Sequence, residues 1–181
     1  MSLFRTTLTV SAVLLLTLTG CNKAENTDLI KEKPNDAASL TVAAPSTKGA
    51  LGLEVYKSPT CGCCKGWVDH MSNAGFSVNA HDMGDLQPVK RSQGIQRDTQ
   101  SCHTAVSPEG FVFEGHVPAK FVKRFLAEKP VGARGLAVPA MPVGTPGMEM
   151  DNKFMPYQIL LLKTDGSTQV YAMVANAEQQ Y

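Results

Sequence analysis

From residue 51 onward the apolar positions follow two periods, and where one gives way to the other the chain marks its elements. Residues 51–57, Leu-Gly-Leu-Glu-Val-Tyr-Lys, are a short apolar-rich run of strand length. After a turn, Cys64, Trp67, Val68 and Met71 recur at helical spacing over residues 63–73, with Gly75 placed to stop the helix. Period two returns in Phe76, Val78 and Ala80, which predicts a strand over 76–82. Asp85 is placed to cap a short helix through Ser92, ended by Gly94. Residues 104–107 and 111–114 read as strands joined by Pro108-Glu-Gly110. Phe121, Val122, Phe125 and Leu126 give one face of a helix over 118–129, stopped by Pro130. Residues 131–156 are rich in proline and glycine and read as one long loop, with the length of a lid. Strands 157–163 and 168–174 flank Thr164-Asp-Gly-Ser167 and close the pattern as a hairpin.

The order strand, C-x-x-C helix, strand, helix, hairpin, helix predicts an α/β fold. It is the order of a thioredoxin-like (glutaredoxin-like) mixed sheet flanked by helices, here with a long Pro/Gly loop and a C-terminal β-hairpin. In that architecture the segment entering the third strand lies across from the C-x-x-C turn and usually carries a cis-proline. Here the place is taken by Gln100-Ser-Cys-His-Thr-Ala105, without a proline, so Cys102 is expected opposite the turn.

The first twenty residues fit none of this. One basic residue, Arg5, precedes an apolar run from Leu8 to Leu18, far short of the roughly 20 residues a spanning helix needs. Residues 1–20 therefore read as a signal peptide. The ending Leu18-Thr-Gly-Cys21 resembles a bacterial lipobox, which makes Cys21 the lipidated first residue of the mature chain. Asn22, in place of Asp, resembles lipoproteins sorted to the outer membrane of a Gram-negative bacterium. Residues 21–50 lack aromatics and periodicity and read as a lipid-anchored flexible tether, ahead of one domain over 51–176. The expected place is the periplasm, with the lipid anchor as the only membrane contact.

Charge narrows the partners. The formal net charge is +1, and without Arg5 basic and acidic residues balance, which argues against nucleic acid. With Cys21 assigned to lipid, four of the five cysteines remain: Cys61, Cys63, Cys64 and Cys102. Two structural disulfides are the bland reading in an exported protein, but a domain of this size and hydrophobic content builds a core without them. Cys61 and Cys64 form a C-x-x-C at a helix start, where partial positive charge favours thiolates. They are the catalytic candidates for thiol–disulfide exchange without metal. Cys63 and Cys102 are surplus to such a dithiol. All four as soft thiolates suit Cu(I), with sulfurs bridging several ions, because neighbouring side chains at a helix start diverge by roughly 100°. A structural Zn(II) site on the same four sulfurs stays open beside these readings.

Five ordered motifs then carry a family resemblance. Cys61-Gly-Cys-Cys64, Ser101-Cys-His-Thr-Ala105, Glu114-Gly-His-Val-Pro118, Gly135-Leu-Ala-Val-Pro139 and Met141-Pro-Val-Gly-Thr-Pro-Gly-Met-Glu149 together resemble the exported thioredoxin-like C-x-C-C proteins found with bacterial copper resistance, CopG and its relatives, long known as a metal-binding domain of unknown function. The resemblance spans about residues 53–171. It implies a periplasmic protein whose cysteines bind Cu(I) as a multinuclear cluster, with a copper oxidoreductase role and other periplasmic copper-resistance proteins as partners. Around the four metal candidates, His103, His116, Lys65, Met141 and Met148 are the residues placed to flank or complete the site. His103 is expected on the strand face opposite Cys102. His116 orders its turn or faces the site; Lys65 favours thiolates by its charge or is simply solvated. Met141 and Met148 sit in the long loop as soft thioether ligands or as packing. Among the remaining residues, His70 and His81 read as surface, and Trp67, Met71 and Met173 as core.

Overall fold

A computed structural model describes residues 51–151 and 153–181. Residues 1–50, read above as signal peptide, lipidated Cys21 and tether, lie outside the described residues. Seven strands form one mixed sheet: β1 (Leu51–Lys57), β2 (Phe76–Asp82), β3 (His103–Val106), β4 (Val112–Glu114), β5 (Ala133–Ala137), β6 (Tyr157–Lys163) and β7 (Thr168–Val174), in the order β2-β1-β3-β4-β5-β6-β7. The helices are α1 (Gly62–Asn73), α2 (Gln87–Ser92) and α3 (Ala119–Glu128). Strands β1 and β2 are parallel because α1 crosses between them, while β3 runs antiparallel to both β1 and β4. This mixed α/β arrangement is compatible with the thioredoxin-like expectation.

Residues 131–156 are not loop throughout. Their first part is β5, parallel to β4 and antiparallel to β6. The strand was hidden because its middle residue is a glycine with a reason to be there. A Cβ at Gly135 would fall 1.7 Å from the Val112 carbonyl oxygen, so only glycine lets the two backbones approach. Met173 also departs from expectation: it is 56% exposed. Val174 is buried opposite Tyr157, so strand alternation turns its neighbour Met173, opposite exposed Gln158, outward. A 3₁₀ turn, Ala177–Gln180, follows β7 and buries the Gln180 side chain, whose amide donates to Gly144 O and accepts from the Tyr157 hydroxyl.

Helices α1 and α3 cover one face of the sheet. Trp67 and Met71 from α1 and Val122 and Phe125 from α3 pack on Leu53, Val55, Phe113, Leu136 and Ile159. The Phe125 ring meets Phe111, Phe113 and Tyr171 edge-on, the preferred arrangement of aromatic quadrupoles. Each such buried side chain contributes about 1.5–3 kcal/mol relative to exposure. The opposite face carries a smaller cluster of Ile95, Val112, Ala137 and Leu162. Strand alternation sends Phe113 to the helical face and both Val112 and Glu114 to the other, where α2 supplies Lys90. This fold brings the end of β1, the start of β3 and the N-terminus of α1 to one place.

Candidate metal centre

Strand β1 ends at Lys57, and the chain turns at Ser58–Cys61 into α1, with the Cys61 N–H donating to Ser58 O. Cys61 is the N-cap: its backbone is extended (φ −80°, ψ 95°) and its sulfur accepts the Cys64 N–H at 3.3 Å. The helix start thus directs unpaired N–H groups and partial positive charge at sulfur. Cys61 and Cys64 are joined by a disulfide, with Cα atoms 5.3 Å apart, while Cys63 and Cys102 are free thiols. The Cys63 sulfur lies 3.5 Å from that of Cys61. Across from this turn, the segment before β3 carries Cys102, and all four sulfurs lie within 4.8 Å of one another. Cys64 is fully buried and the other three are partly accessible.

Cys102 has two imidazoles against its sulfur. His103 Nδ1 is 3.3 Å away and His116 Nε2 is 3.1 Å away. The expectation that His103 points away from Cys102 is therefore corrected. Cys102 precedes β3, so strand alternation does not apply between the two residues. The His103 ring is wholly buried against Trp67, with centroids 4.4 Å apart, and its Nε2 has no hydrogen-bond partner. His116 is also buried, and its Nδ1 lies 2.8 Å from Pro146 O. A carbonyl only accepts, so Nδ1 carries the proton and Nε2 presents a lone pair to the sulfur. Burial lowers the pKa of both rings, that of His103 well below the ordinary value with the neighbouring His116 adding to the effect. Both are neutral at neutral pH. Burial, and secondarily Cys63, pushes the Cys102 thiol up to about 12.

A buried polar group holds the Cys102 turn from behind. Glu114, fully buried, accepts from Lys90 Nζ at 2.5 Å, the Thr104 hydroxyl at 2.6 Å and the Ser101 N–H at 2.7 Å. Burial raises the Glu114 pKa, against the pull of Lys90 and the other donors. Of the two readings of Lys65, the structure shows the solvated one: it is exposed and pairs with Asp69 at 3.1 Å. His70, expected at the surface, is half-buried and accepts the Ala119 N–H at 3.0 Å, capping α3; burial lowers its pKa. His81 pairs with Glu54 at the edge of the sheet.

The loop 138–156 lies on the first turn of α1. Gly147 has φ +86°, and a Cβ there would fall 2.5 Å from both Cys63 O and Trp67 N. Glu149 fixes this approach by accepting the Gly147 N–H at 2.8 Å and the Tyr181 hydroxyl at 3.0 Å. Met148 is half-buried in the loop, and Met141 is 44% exposed. On the helix side, Trp67 Nε1 donates to Val117 O at 2.9 Å, which ties α1 to the turn that carries His116. Lys90 went unseen in the sequence; Ser101, Glu114 and Pro146 stood inside quoted motifs, but nothing local marked what each would contact.

The comparisons with known proteins agree with this geometry. The family model described as "Protein of unknown function, DUF411" matches residues 99–148, the stretch from the Cys102 segment through the loop. Two solved structures described as copper resistance protein CopG, forms 1 and 2, are each 38% identical with a TM-score of 0.65. Each match covers 69% of this chain and 98% of the solved one. The chain belongs to the CopG family. No curated protein matches it. In this CopG-family chain the grouped donors are four sulfurs in one set, and Cys102, His103 and His116 in another that shares Cys102. Thiolates and neutral imidazoles are the donor set that soft and borderline metal ions select. The cysteine cluster and the copper-resistance homologues together fit copper handling.

Proposed function

We propose that this chain binds Cu(I), more than one ion at a time, through Cys61, Cys63, Cys64 and Cys102, and that it handles copper in the periplasm. The observation that carries the reading is the convergence of all four sulfurs within 4.8 Å, with Cys102 drawn from a segment 38 residues beyond Cys64. Two cysteines suffice for dithiol chemistry, whereas four around one point make a ligand set. Sulfurs on consecutive residues of a helix start diverge, and bridging them between several Cu(I) ions accommodates that divergence. His116, oriented by Pro146, and His103, with its unpartnered Nε2, are placed to complete the coordination. The Cys61–Cys64 disulfide removes two of the four ligands, so metal load and disulfide state exclude one another. Copper is the cargo here, with other periplasmic copper-resistance proteins as donors or acceptors, and the anchor is the lipid on Cys21.

The test is an anaerobic Cu(I) titration of the reduced protein, followed by X-ray absorption at the copper edge. The expected result is more than one Cu(I) per chain with sulfur ligands and a short copper–copper distance. Saturation at one ion without that distance rejects the cluster. Tight Zn(II) binding with no competition against a Cu(I) chelator favours a structural zinc module instead. The disulfide itself supports a second reading, thiol–disulfide exchange by Cys61 and Cys64 without metal. Under that reading Cys63→Ser and Cys102→Ser leave client-disulfide exchange unchanged, and no copper stays with the protein through desalting.

A further inference from the structure

Sequence periodicity ends the domain at residue 176, yet residues 177–181 are built into the loop that lies on the metal centre. That loop, residues 140–149, ties together the two halves of the site. At one end the Ala140 N–H donates to Gln100 O at 3.2 Å and its carbonyl accepts the Ser101 hydroxyl, beside Cys102. In the middle Pro146 O accepts from His116 Nδ1. At the other end Gly147 meets the first turn of α1, where a Cβ on Gly66 would fall 2.9 Å from Gly147 Cα. Glycine on both sides lets the two backbones touch. The loop thus spans from the Cys102–His116 half to the α1 cysteines.

The outer side of the loop is held by the 177–181 segment. Tyr181 donates its hydroxyl to Glu149 Oε1 at 3.0 Å, and Glu149 Oε2 accepts the Gly147 N–H at 2.8 Å, so one carboxylate bridges the two. Gln180 donates to Gly144 O at 2.9 Å. The segment is itself anchored on α3: Lys120 Nζ donates to Gln179 O at 3.1 Å, and the Tyr181 ring meets His70 edge-on with centroids 5.7 Å apart. The Glu149 charge also reaches the His70 and His116 rings, offsetting part of what burial does to each. Behind the bridge lies a cavity of about 700 Å³ lined by Glu149, Phe154, Glu178 and Tyr181, so no packed side chains back the loop there. We propose that Glu149, bridged to Tyr181 and acting through Gly147, is a positioning residue that keeps the Cys102–His116 half in register with the α1 cysteines and so slows release of bound metal. An ion held by two halves leaves when one lets go, and a fixed frame returns the freed ligand to it before the other half releases. This role rests on the copper-handling reading and adds to it the control of metal exchange. Water competes for so exposed a hydrogen bond, so the bridge adds little to overall stability while still setting the loop's place.

The experiment loads the reduced full chain with Cu(I) anaerobically and follows transfer to a chromogenic Cu(I) chelator by stopped flow. Three variants are compared: Tyr181→Phe, which removes one hydroxyl and keeps the ring on His70; Glu149→Ala, which removes the bridge; and Glu149→Gln, whose amide oxygen can still accept from Gly147 while its NH₂ donates to the tyrosine oxygen. Loss of a group that orients metal ligands typically costs about 10–100-fold in metal affinity. Transfer should therefore speed up by about tenfold or more in Glu149→Ala, by less in Tyr181→Phe, and return close to the wild-type rate in Glu149→Gln. Melting temperatures of all three should stay close to that of the wild type, and hydrogen–deuterium exchange over 140–149 should quicken in the first two variants while α3 is unchanged. A wild-type transfer rate in Glu149→Ala overturns the proposal, as does equal acceleration in Glu149→Gln, or acceleration accompanied by loss of the whole fold's exchange protection. Normal Cu(I) loading with unchanged transfer in Glu149→Ala fails the positioning role alone. If the wild type retains no Cu(I), the copper-handling reading fails and this role falls with it.

Discussion

Replacing Lys90 by methionine tests whether the buried carboxylate of Glu114 sets the stability of the Cys102 segment. Lys90 is 3% exposed and Glu114 not at all, and their 2.5 Å contact is joined by Thr104 and Ser101. Methionine keeps the aliphatic stem and removes the charge, leaving a carboxylate buried with two neutral donors. Breaking one partner of a buried ion pair costs about 3–5 kcal/mol. For a folded part of this size one kcal/mol lowers Tm by about 3–5 °C, so the expected loss is about 10–20 °C. Burial already holds the Glu114 pKa above its ordinary value, and removing Lys90 raises it further. A raised carboxyl favours the folded state below its unfolded pKa and loses that contribution as pH rises through the folded value. The Lys90→Met deficit should therefore be smaller at pH 5 than at pH 8. Lys90→Met with Glu114→Gln removes the unpaired charge while the glutamine oxygen still accepts from Ser101, and it should recover most of the loss. Thermal melts followed by circular dichroism at the two pH values supply the cycle. A loss under about 1 kcal/mol in Lys90→Met, or no recovery in the double variant, would refute the reasoning.

Three further outcomes are expected. Gly147→Ala places a Cβ 2.5 Å from Cys63 O and Trp67 N at a positive φ, so it should cost about 1–3 kcal/mol and lift the loop from α1; a melt and a chelator competition should show lower Tm together with weaker copper retention. Because burial pushes the Cys102 thiol up to about 12, Cu(I) must displace its proton, and apparent affinity should tighten by about tenfold per pH unit for each proton released between pH 6 and 8; a flat chelator-competition profile would contradict this. Labelling of the full chain with a fatty-acid analogue in a Gram-negative host should be abolished by Cys21→Ser, and labelling that persists in the variant would exclude lipid at that residue.

Much of this protein is written locally. The C-x-C-C motif falls between an apolar run and a helical period, so the cap, the helix start and the clustering of three cysteines follow from neighbouring residues alone. The two hairpins carry their turn chemistry with them, and the element order was enough to set Cys102 opposite the turn. Tertiary structure decided the rest, because those features come from partners far apart in sequence. Strand β5 exists through its ladders to β4 and β6, and Gly135, which reads as a loop residue, is what allows the approach to Val112. Val174, opposite Tyr157, takes the covered side of β7, and this exposes Met173 despite its apolar side chain. Glu114 and Lys90 are 24 residues apart, and nothing in either neighbourhood announces a buried charge. His103 and His116 became neighbours of the Cys102 sulfur because β3 begins one residue after that cysteine and the 138–156 loop supplies Pro146 to orient the second ring. Sequence periodicity reports which face a residue takes along one element; which groups meet across elements depends on register, crossover and close backbone approach, and those exist only once the sheet is assembled.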